Sequence, residues 1–438
     1  MFMRVRSVWD YLISSFWFIP VLFILVAFLG AFAMIYVDTS IDVYPPGFVQ
    51  YLLPSSVDSA RTVLSTISGA MIGVAGTVFS ITLVVLTLAS SQFGPRLLRN
   101  FMHDRTNQVV LGSYVSTFVY CLLVLNSVEN GDGTPFVPEL STLVAIVAAV
   151  ANILLLVLFI HHISMGIQAD KVVSDISTAL KVELDRIFPE SDDEESIQDA
   201  DIDIAALKGE YQEKLVIRSS KDGYLQYVEY ESILSVAIEN DSLIIVKFRA
   251  GDHIVEGTEF MEVYSHGEFP GKSVKKLETT FKLGRIRTPQ QDAEFSIRQM
   301  VEIAARALSP SMNDPYTAIT CVDNLTSTMC QLTSAKFPSA ARRDEQGVVR
   351  VVADVLTFDG MLNASFNKIR QYAGGSPAVL IRLMESLVTI HHFVRTDQQK
   401  QAVQKHMRMV HRMAEKSFIE DNDLTDLRDR IKAIVDKA

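Results

Sequence analysis

Seven small or hydroxyl-bearing residues, Ser65, Gly69, Gly73, Gly76, Ser80, Thr87 and Ser91, recur at steps of three or four in a stretch without charge. Val84 fills the single gap in the series. Such steps put residues on one face of a helix, and Leu83, Val85, Leu86 and Leu88 lie elsewhere around it. Two kinds of chemistry suit this face. Small side chains let backbones approach closely, and Gly69 and Gly73 form a Gly-x-x-x-Gly pair of the kind that packs helices in lipid. Hydroxyls and accessible carbonyls can instead replace water around a passing solute, as in a pore or cavity lining. Asp58 precedes the series, and Arg96 and Arg99 follow it. Charged rings of opposite sign would then mark the outer and inner mouths of such a path, and the sign conflict leaves the ion unnamed.

Other residues with chemical potential have simpler accounts. Gly267-Glu268-Phe269-Pro270-Gly271-Lys272-Ser273 ends like a phosphate loop, but that loop needs four residues between its glycines. Here there are three, one a proline, and the segment Val274 to Leu283 does not read as a clear apolar-faced helix. His161 and His162 are adjacent, so on a helix they point about 100° apart and cannot share a metal unaided; an interfacial role suits them. His391, His392, His406 and His411 read as solvated or packing residues on helices. Ser309 and Ser311 lack a Gly-x-Ser-x-Gly elbow, and Cys321 would need a histidine brought in by the fold. Cys121, Cys321 and Cys330 have neither disulfide-framework nor zinc spacing. The run from Glu190 to Asp203 holds eight acids and no base, the composition of a solvated linker. No catalytic constellation emerges, and no cofactor or metal site is expected.

The elements that must position these residues follow from an uneven composition. Of 438 residues 49% are hydrophobic, and the net charge is −11. The first 170 residues contain six arginines, no lysine and nine acids, or about −3; the other 268 carry 34 bases and 42 acids, or −8. One apolar half joined to one charged half excludes a simple soluble enzyme, a disordered chain and a collagen-like chain. No basic patch could track phosphates, so nucleic acid is not an expected partner.

Four apolar stretches reach the roughly 20 residues that cross a bilayer: Leu12 to Val37, the 34 residues between Arg61 and Arg96, Val109 to Val128, and Leu140 to Ile163. The first, after Arg4 and Arg6 and containing Ala31-Phe32-Ala33, resembles a signal peptide. Its apolar core is too long and three more spans follow, so no cleavage is expected. The second would be about 50 Å long as a helix, against a hydrocarbon core of about 30 Å. It must tilt, break or project, and Gly94-Pro95 is its expected stop. Arg4, Arg6, Arg96, Arg99, Arg105, Lys171, Lys181 and Arg186 fall on one side; the opposite loops hold Asp38, Asp42, Asp58, Glu129, Asp132 and Glu139, with Arg61 the only base. By the positive-inside rule both termini are cytoplasmic. No span has an ionisable residue at its centre, which disfavours an ion-coupled pump. Asn126 and Asn152 read as interhelical hydrogen-bond formers.

Beyond the spans the pattern changes. Val173, Ile176, Leu180, Leu184 and Ile187 continue span four as an amphipathic helix. Residues 215–281 read as short strands around a helix of about ten residues, a small β-barrel or sandwich. Their order is similar in shape to biotinyl and lipoyl modules, without an evident modifiable lysine. Thr288-Pro289-Gln290-Gln291 reads as a helix start, as does Asp314-Pro315. A strand (348–352) and four further helices complete a mainly helical region. The fold class is thus an α-helical membrane domain of four transmembrane helices followed by an α+β cytoplasmic domain. The expected divisions are 1–170 for the spans, 171–205 for the extension and acidic linker, 206–286 for the β-rich module and 287–438 for the helical part.

Thr77-Val78-Phe79-Ser80-Ile81-Thr82 leading to Ala89-Ser90-Ser91-Gln92-Phe93-Gly94-Pro95-Arg96 is one distinctive segment. Gly223-Tyr224-Leu225-Gln226, Arg249-Ala250-Gly251-Asp252, and Ala307-Leu308-Ser309-Pro310 through Asn313-Asp314-Pro315-Tyr316-Thr317-Ala318 are others. Their order resembles a bacterial family of predicted membrane proteins, domain of unknown function 2254. The resemblance implies a four-span inner-membrane protein with a cytoplasmic domain and carries no activity or functional residues. From the residues, the leading expectation is a homo-oligomeric, non-enzymatic channel in the lipid bilayer, with the span-two face around a path for small ions and the cytoplasmic domain as vestibule or gate. The second expectation is a membrane-anchored sensor or scaffold whose cytoplasmic domain binds a partner. A membrane enzyme is the third.

Overall fold

The computed structural model describes residues 17–40, 53–54, 56–94, 104–128, 136–166, 168–188 and 203–435, and side chains to 430. The chain divides into two compact units, 1–171 and 172–438.

Four helices of the first unit are long and apolar enough to cross a membrane: α1 (Phe18–Ser40), α2 (Val57–Phe93), α3 (Arg105–Ser127) and α4 (Glu139–Gly166). Each matches an expected stretch, within six residues at every described end. Helix α3 packs against the other three. Where it meets α1, a Cβ on Gly112 would sit 3.0 Å from the Pro20 Cα, so only glycine suits that crossing. One apolar cluster joins Ala31, Leu64, Tyr120, Cys121, Val124 and Ala145. A second joins Met71, Ala75, Val78, Val110, Tyr114 and Phe159.

Helix α2 runs unbroken for 37 residues. Ser56 caps its start by accepting from the Ser59 N–H at 3.2 Å. Its end is Gly94, at φ 103°, whose N–H donates to Ser90 O at 3.2 Å. A positive φ is easy for glycine and strained for other residues, so the stop expected at Gly94-Pro95 has a backbone cause. Span four does not continue as one helix. Helix α4 ends at Gly166, and α5 (Ala169–Ile187) is a separate element. The apolar stripe of α5 is buried at Val173, Ile176, Leu180 and Leu184.

In the second unit, a short α6 (Ile204–Gly209) leads to β1 (Glu213–Arg218), β2 (Gly223–Val228), α7 (Tyr230–Glu239), β3 (Leu243–Val246), β4 (His253–Ile254) and β5 (Glu259–Ser265). Then come α8 (Gly271–Glu278), β6 (Phe281–Gly284), α9 (Glu294–Ala307), α10 (Pro315–Leu332), β7 (Ala341–Arg343) and β8 (Val349–Ala353). Four helices follow: α11 (Phe358–Tyr372), α12 (Pro377–Phe393), α13 (Asp397–Ser417) and α14 (Asp421–Val435).

The strands form two sheets, a mixed five-stranded one ordered β1-β5-β3-β8-β7 and an antiparallel three-stranded one ordered β4-β2-β6, and the expected small barrel or sandwich is not established. Strand β8 pairs in parallel with β3, Ile244 opposite Val351, and β7 extends the edge beyond it. The larger sheet therefore draws strands from both sides of residue 286. Leu225 and Val228 of the smaller sheet share a core with Ile244, Val246, Phe260, Val263 and Val351 of the larger.

Two local expectations change and a third holds. Residues 271–278 do form a helix after Pro270, with Leu277 as its buried anchor. Thr288-Pro289 does not start a helix; α9 begins at Glu294. The reason is Gln291, whose amide accepts from Val228 N–H at 2.9 Å and donates to Val228 O at 3.0 Å, holding the segment against β2. Asp314 caps α10 as expected, accepting from Thr317 N–H at 3.1 Å, with Pro315 in the first turn.

Candidate functional site

Helix α2 buries Ala60, Leu64, Ser68, Met71, Ala75, Val78, Val85, Ala89 and Phe93 against its own chain. Ser65, Gly69 and Gly76 each follow one of these by a single residue, about 100° further round the helix. All seven residues of the small-residue face, Ser65, Gly69, Gly73, Gly76, Ser80, Thr87 and Ser91, are exposed. A Cβ built on Gly69, Gly73 or Gly76 meets nothing within 4 Å. Packing within the chain therefore uses another face of α2. Thr87 and Ser91 return their hydroxyl protons to Leu83 O at 2.9 Å and Leu88 O at 2.8 Å, which satisfies them without water. Asp58 is exposed in the first turn, where a carboxylate complements the helix dipole. Arg96 and Arg99 lie outside the described residues.

Polar groups inside the helix bundle are tied to one another. Asn152, fully buried on α4, accepts from Ser113 Oγ at 2.7 Å and donates to Thr117 Oγ1 at 2.8 Å. Tyr114 OH donates to its backbone carbonyl at 2.6 Å. This is the interhelical bonding expected of Asn152; Asn126 is exposed instead. At one end Asp38 of α1 accepts from the Leu140 and Ser141 N–H groups, both at 2.9 Å, and so caps α4. At the other end Asp104 caps α3 and meets His162 Nε2 at 2.5 Å. His162 thus joins two helix ends.

A second feature, in the second unit, was not legible in the sequence. A cavity of about 450 Å³ opens among the end of α5, β2, α7, β7 and the segments 249–250, 290–294 and 354–356. That volume is within the range of small-molecule sites. Its charged lining is Arg186, Arg249, Arg342, Asp292, Glu294 and Asp354. Arg249 bridges Glu294 at 3.0 Å and Asp354 at 3.1 Å. Asp292 is held by Arg287 from outside the lining, Nε to Oδ2 at 2.8 Å. Burial pushes the Asp292 carboxyl above its usual range, and Arg287 opposes that shift. Glu294 also receives the Arg298 guanidinium, Nε at 3.0 Å.

The two remaining arginines are placed differently. Arg186 donates Nη2 to Gln290 O at 2.7 Å. Arg342 lies over the Tyr230 ring, its guanidinium carbon 3.8 Å from the centroid, and its Nη1 is buried with no hydrogen-bond partner. Burial lowers the Arg342 pKa from its ordinary value, with Tyr230 and Glu231 opposing. The cavity residues come from separate parts of the chain, and none forms a motif of fixed spacing. The sequence signals nearby were the distinctive Arg249-Ala250-Gly251-Asp252 segment and Thr288-Pro289-Gln290-Gln291. Gly251 has φ 99°, and a Cβ there would sit 2.6 Å from Asp292 Oδ2, so the turn packs directly against the buried ion pair.

The chain matches the family described as predicted membrane protein DUF2254 over residues 13–389. It is 31% identical over 430 residues to an uncharacterized protein of Mycobacterium tuberculosis strain H37Rv, covering 96% of this chain and 80% of the relative. An uncharacterized protein of Mycobacterium bovis gives the same identity and coverage. No solved structure matches. With four helices able to span a bilayer and a family match over most of its length, the chain belongs to the DUF2254 family of predicted membrane proteins.

Proposed function

We propose that this protein is a homo-oligomeric, pore-like protein of the bacterial inner membrane, with both termini cytoplasmic, in which the small-residue face of α2 lines the path. The observation that carries this reading is that all seven residues of that face are exposed on the protomer, with open space beside its three glycines. Four helices in one chain are too few to enclose a wide path, so copies meeting around this face supply the rest. Small ions are the solute class, and the second unit forms a vestibule or gate. Arginine and lysine placement supports the orientation. Planar-bilayer recording of the full chain tests the reading with Gly73→Leu and Ser80→Leu. Both are expected to reduce conductance; unchanged conductance in both refutes α2 as the lining.

A second reading, a membrane-anchored sensor or scaffold without transport, draws on the cavity of the second unit. Native mass of the protein in nanodiscs separates the two, because a monomer cannot form the path.

A further inference from the structure

We propose that the cavity of the second unit binds a small organic phosphate monoester in its dianionic form, with Arg186 and Arg342 as the charge-matching residues. The inference stands on the second unit alone and holds whichever way α2 is used.

The direct pairing of the charges at the cavity carries it. Three carboxylates face the cavity, and three arginines hold them: Arg249 bridges Glu294 and Asp354, Arg287 holds Asp292, and Arg298 holds Glu294 a second time. Arg186 and Arg342 remain, and neither has a carboxylate within ion-pair distance among the described residues. Arg186 is exposed with Glu183 nearby and Arg342 has Glu231 nearby, but neither guanidinium is directly paired with a carboxylate among the described residues. Burying a cation without a counter-charge is costly, and Arg342 bears part of that cost already, as its buried and unpartnered Nη1 shows. A dianionic ligand would supply the direct partner that both guanidiniums lack at the cavity.

The shape of the two groups narrows the class. A guanidinium presents a planar fork of donors that matches phosphate and carboxylate oxygens. Stacking on Tyr230 fixes the plane of the Arg342 fork and pre-organises its edge. A phosphate monoester brings both charges on one head at neutral pH, whereas a dicarboxylate must spread them over two. The cavity, at about 450 Å³, has room beyond a bare phosphate. Tyr227 and Leu356 add surface for an organic body, which favours an ester over the inorganic ion.

The test is calorimetric titration of the full chain in nanodiscs with adenosine 5′-monophosphate, glucose 6-phosphate, inorganic phosphate, adenosine and succinate. At least one of the two esters is expected to bind with a millimolar or lower Kd and at least tenfold more tightly than adenosine or inorganic phosphate. Arg342→Met and Arg186→Met should each weaken that ester about tenfold or more, from the loss of one charge-assisted contact. Arg342→Lys, which keeps the charge and loses the fork, should fall between wild type and Arg342→Met. Thermal unfolding of each variant confirms that it is folded. Absence of binding by both esters overturns the proposal, as does tighter binding of succinate than of either ester. Undiminished ester affinity in the folded Arg342→Lys and Arg186→Met variants also overturns it.

Discussion

His406 on α13 makes the second unit acid-sensitive. The side chain is 1% exposed, and neither ring nitrogen has a hydrogen-bond partner. Burial pulls its pKa from 6.5 down to about 4, with Asp359 opposing and Lys405 and Arg370 adding to the depression. The imidazole is therefore neutral in the folded protein and takes up a proton more readily once unfolded. Its stabilising contribution is present above the unfolded pKa of 6.5 and is lost as pH falls toward the folded value of about 4. With those two values, linkage gives a loss of about 2 kcal/mol between neutral pH and a point one unit above the folded pKa, roughly a thirtyfold rise in the open population. Amide hydrogen exchange of α13 in the full chain, corrected for intrinsic rates, reads this directly. His406→Leu removes two unsatisfied nitrogens, so the variant should be at least as stable as wild type at neutral pH. It should also lose this share of the acid response. A wild-type α13 whose opening free energy is flat over that range would refute the reasoning, as would a His406→Leu variant with the same pH slope.

Other expectations follow from single contacts. Asn152→Leu removes the links from α4 to Ser113 and Thr117, and should lower bundle stability by about 1–2 kcal/mol in an unfolding titration in detergent. Gly251→Ala forces a positive φ on alanine and drives its methyl into the Arg287–Asp292 pair. It should cost more than about 2 kcal/mol, read as a lower Tm, and should weaken ester binding because Asp292 lines the cavity. Gly112→Leu places a side chain into α1 at Pro20 and Phe23, and should separate α1 from α3, read as faster proteolysis between them.

What the sequence disclosed was set by local physics. An uncharged run between Arg61 and Arg96 has few ways to fold other than one long helix, and Gly94 ends it for a backbone reason. Asp314-Pro315 carries its own cap and its own proline, so α10 starts where its residues say. Thr288-Pro289 offers the same local signal, but Gln291 bonds to the Val228 backbone and tertiary pairing prevails. The parallel pairing of β8 with β3 joins residues over a hundred positions apart, and strand pattern carries no information about such a partner. The cavity was hidden for the same reason. Arg186, Tyr230 and Arg342 are each unremarkable in sequence, and only the fold brings them to one place.

The length of α2 has one more consequence. From Arg61 to its last residue the helix holds 32 uncharged residues, about 48 Å at 1.5 Å each. Even at the steep limit of about 40°, a slab about 30 Å thick accommodates only about 39 Å of rod. Roughly six residues must then sit among lipid headgroups or beyond them. Ser90, Ser91 and Gln92 are the residues best equipped to meet headgroups. Thinner bilayers would expel more of that end and thicker ones would draw it inward, so the composition of the host membrane sets how far the helix emerges.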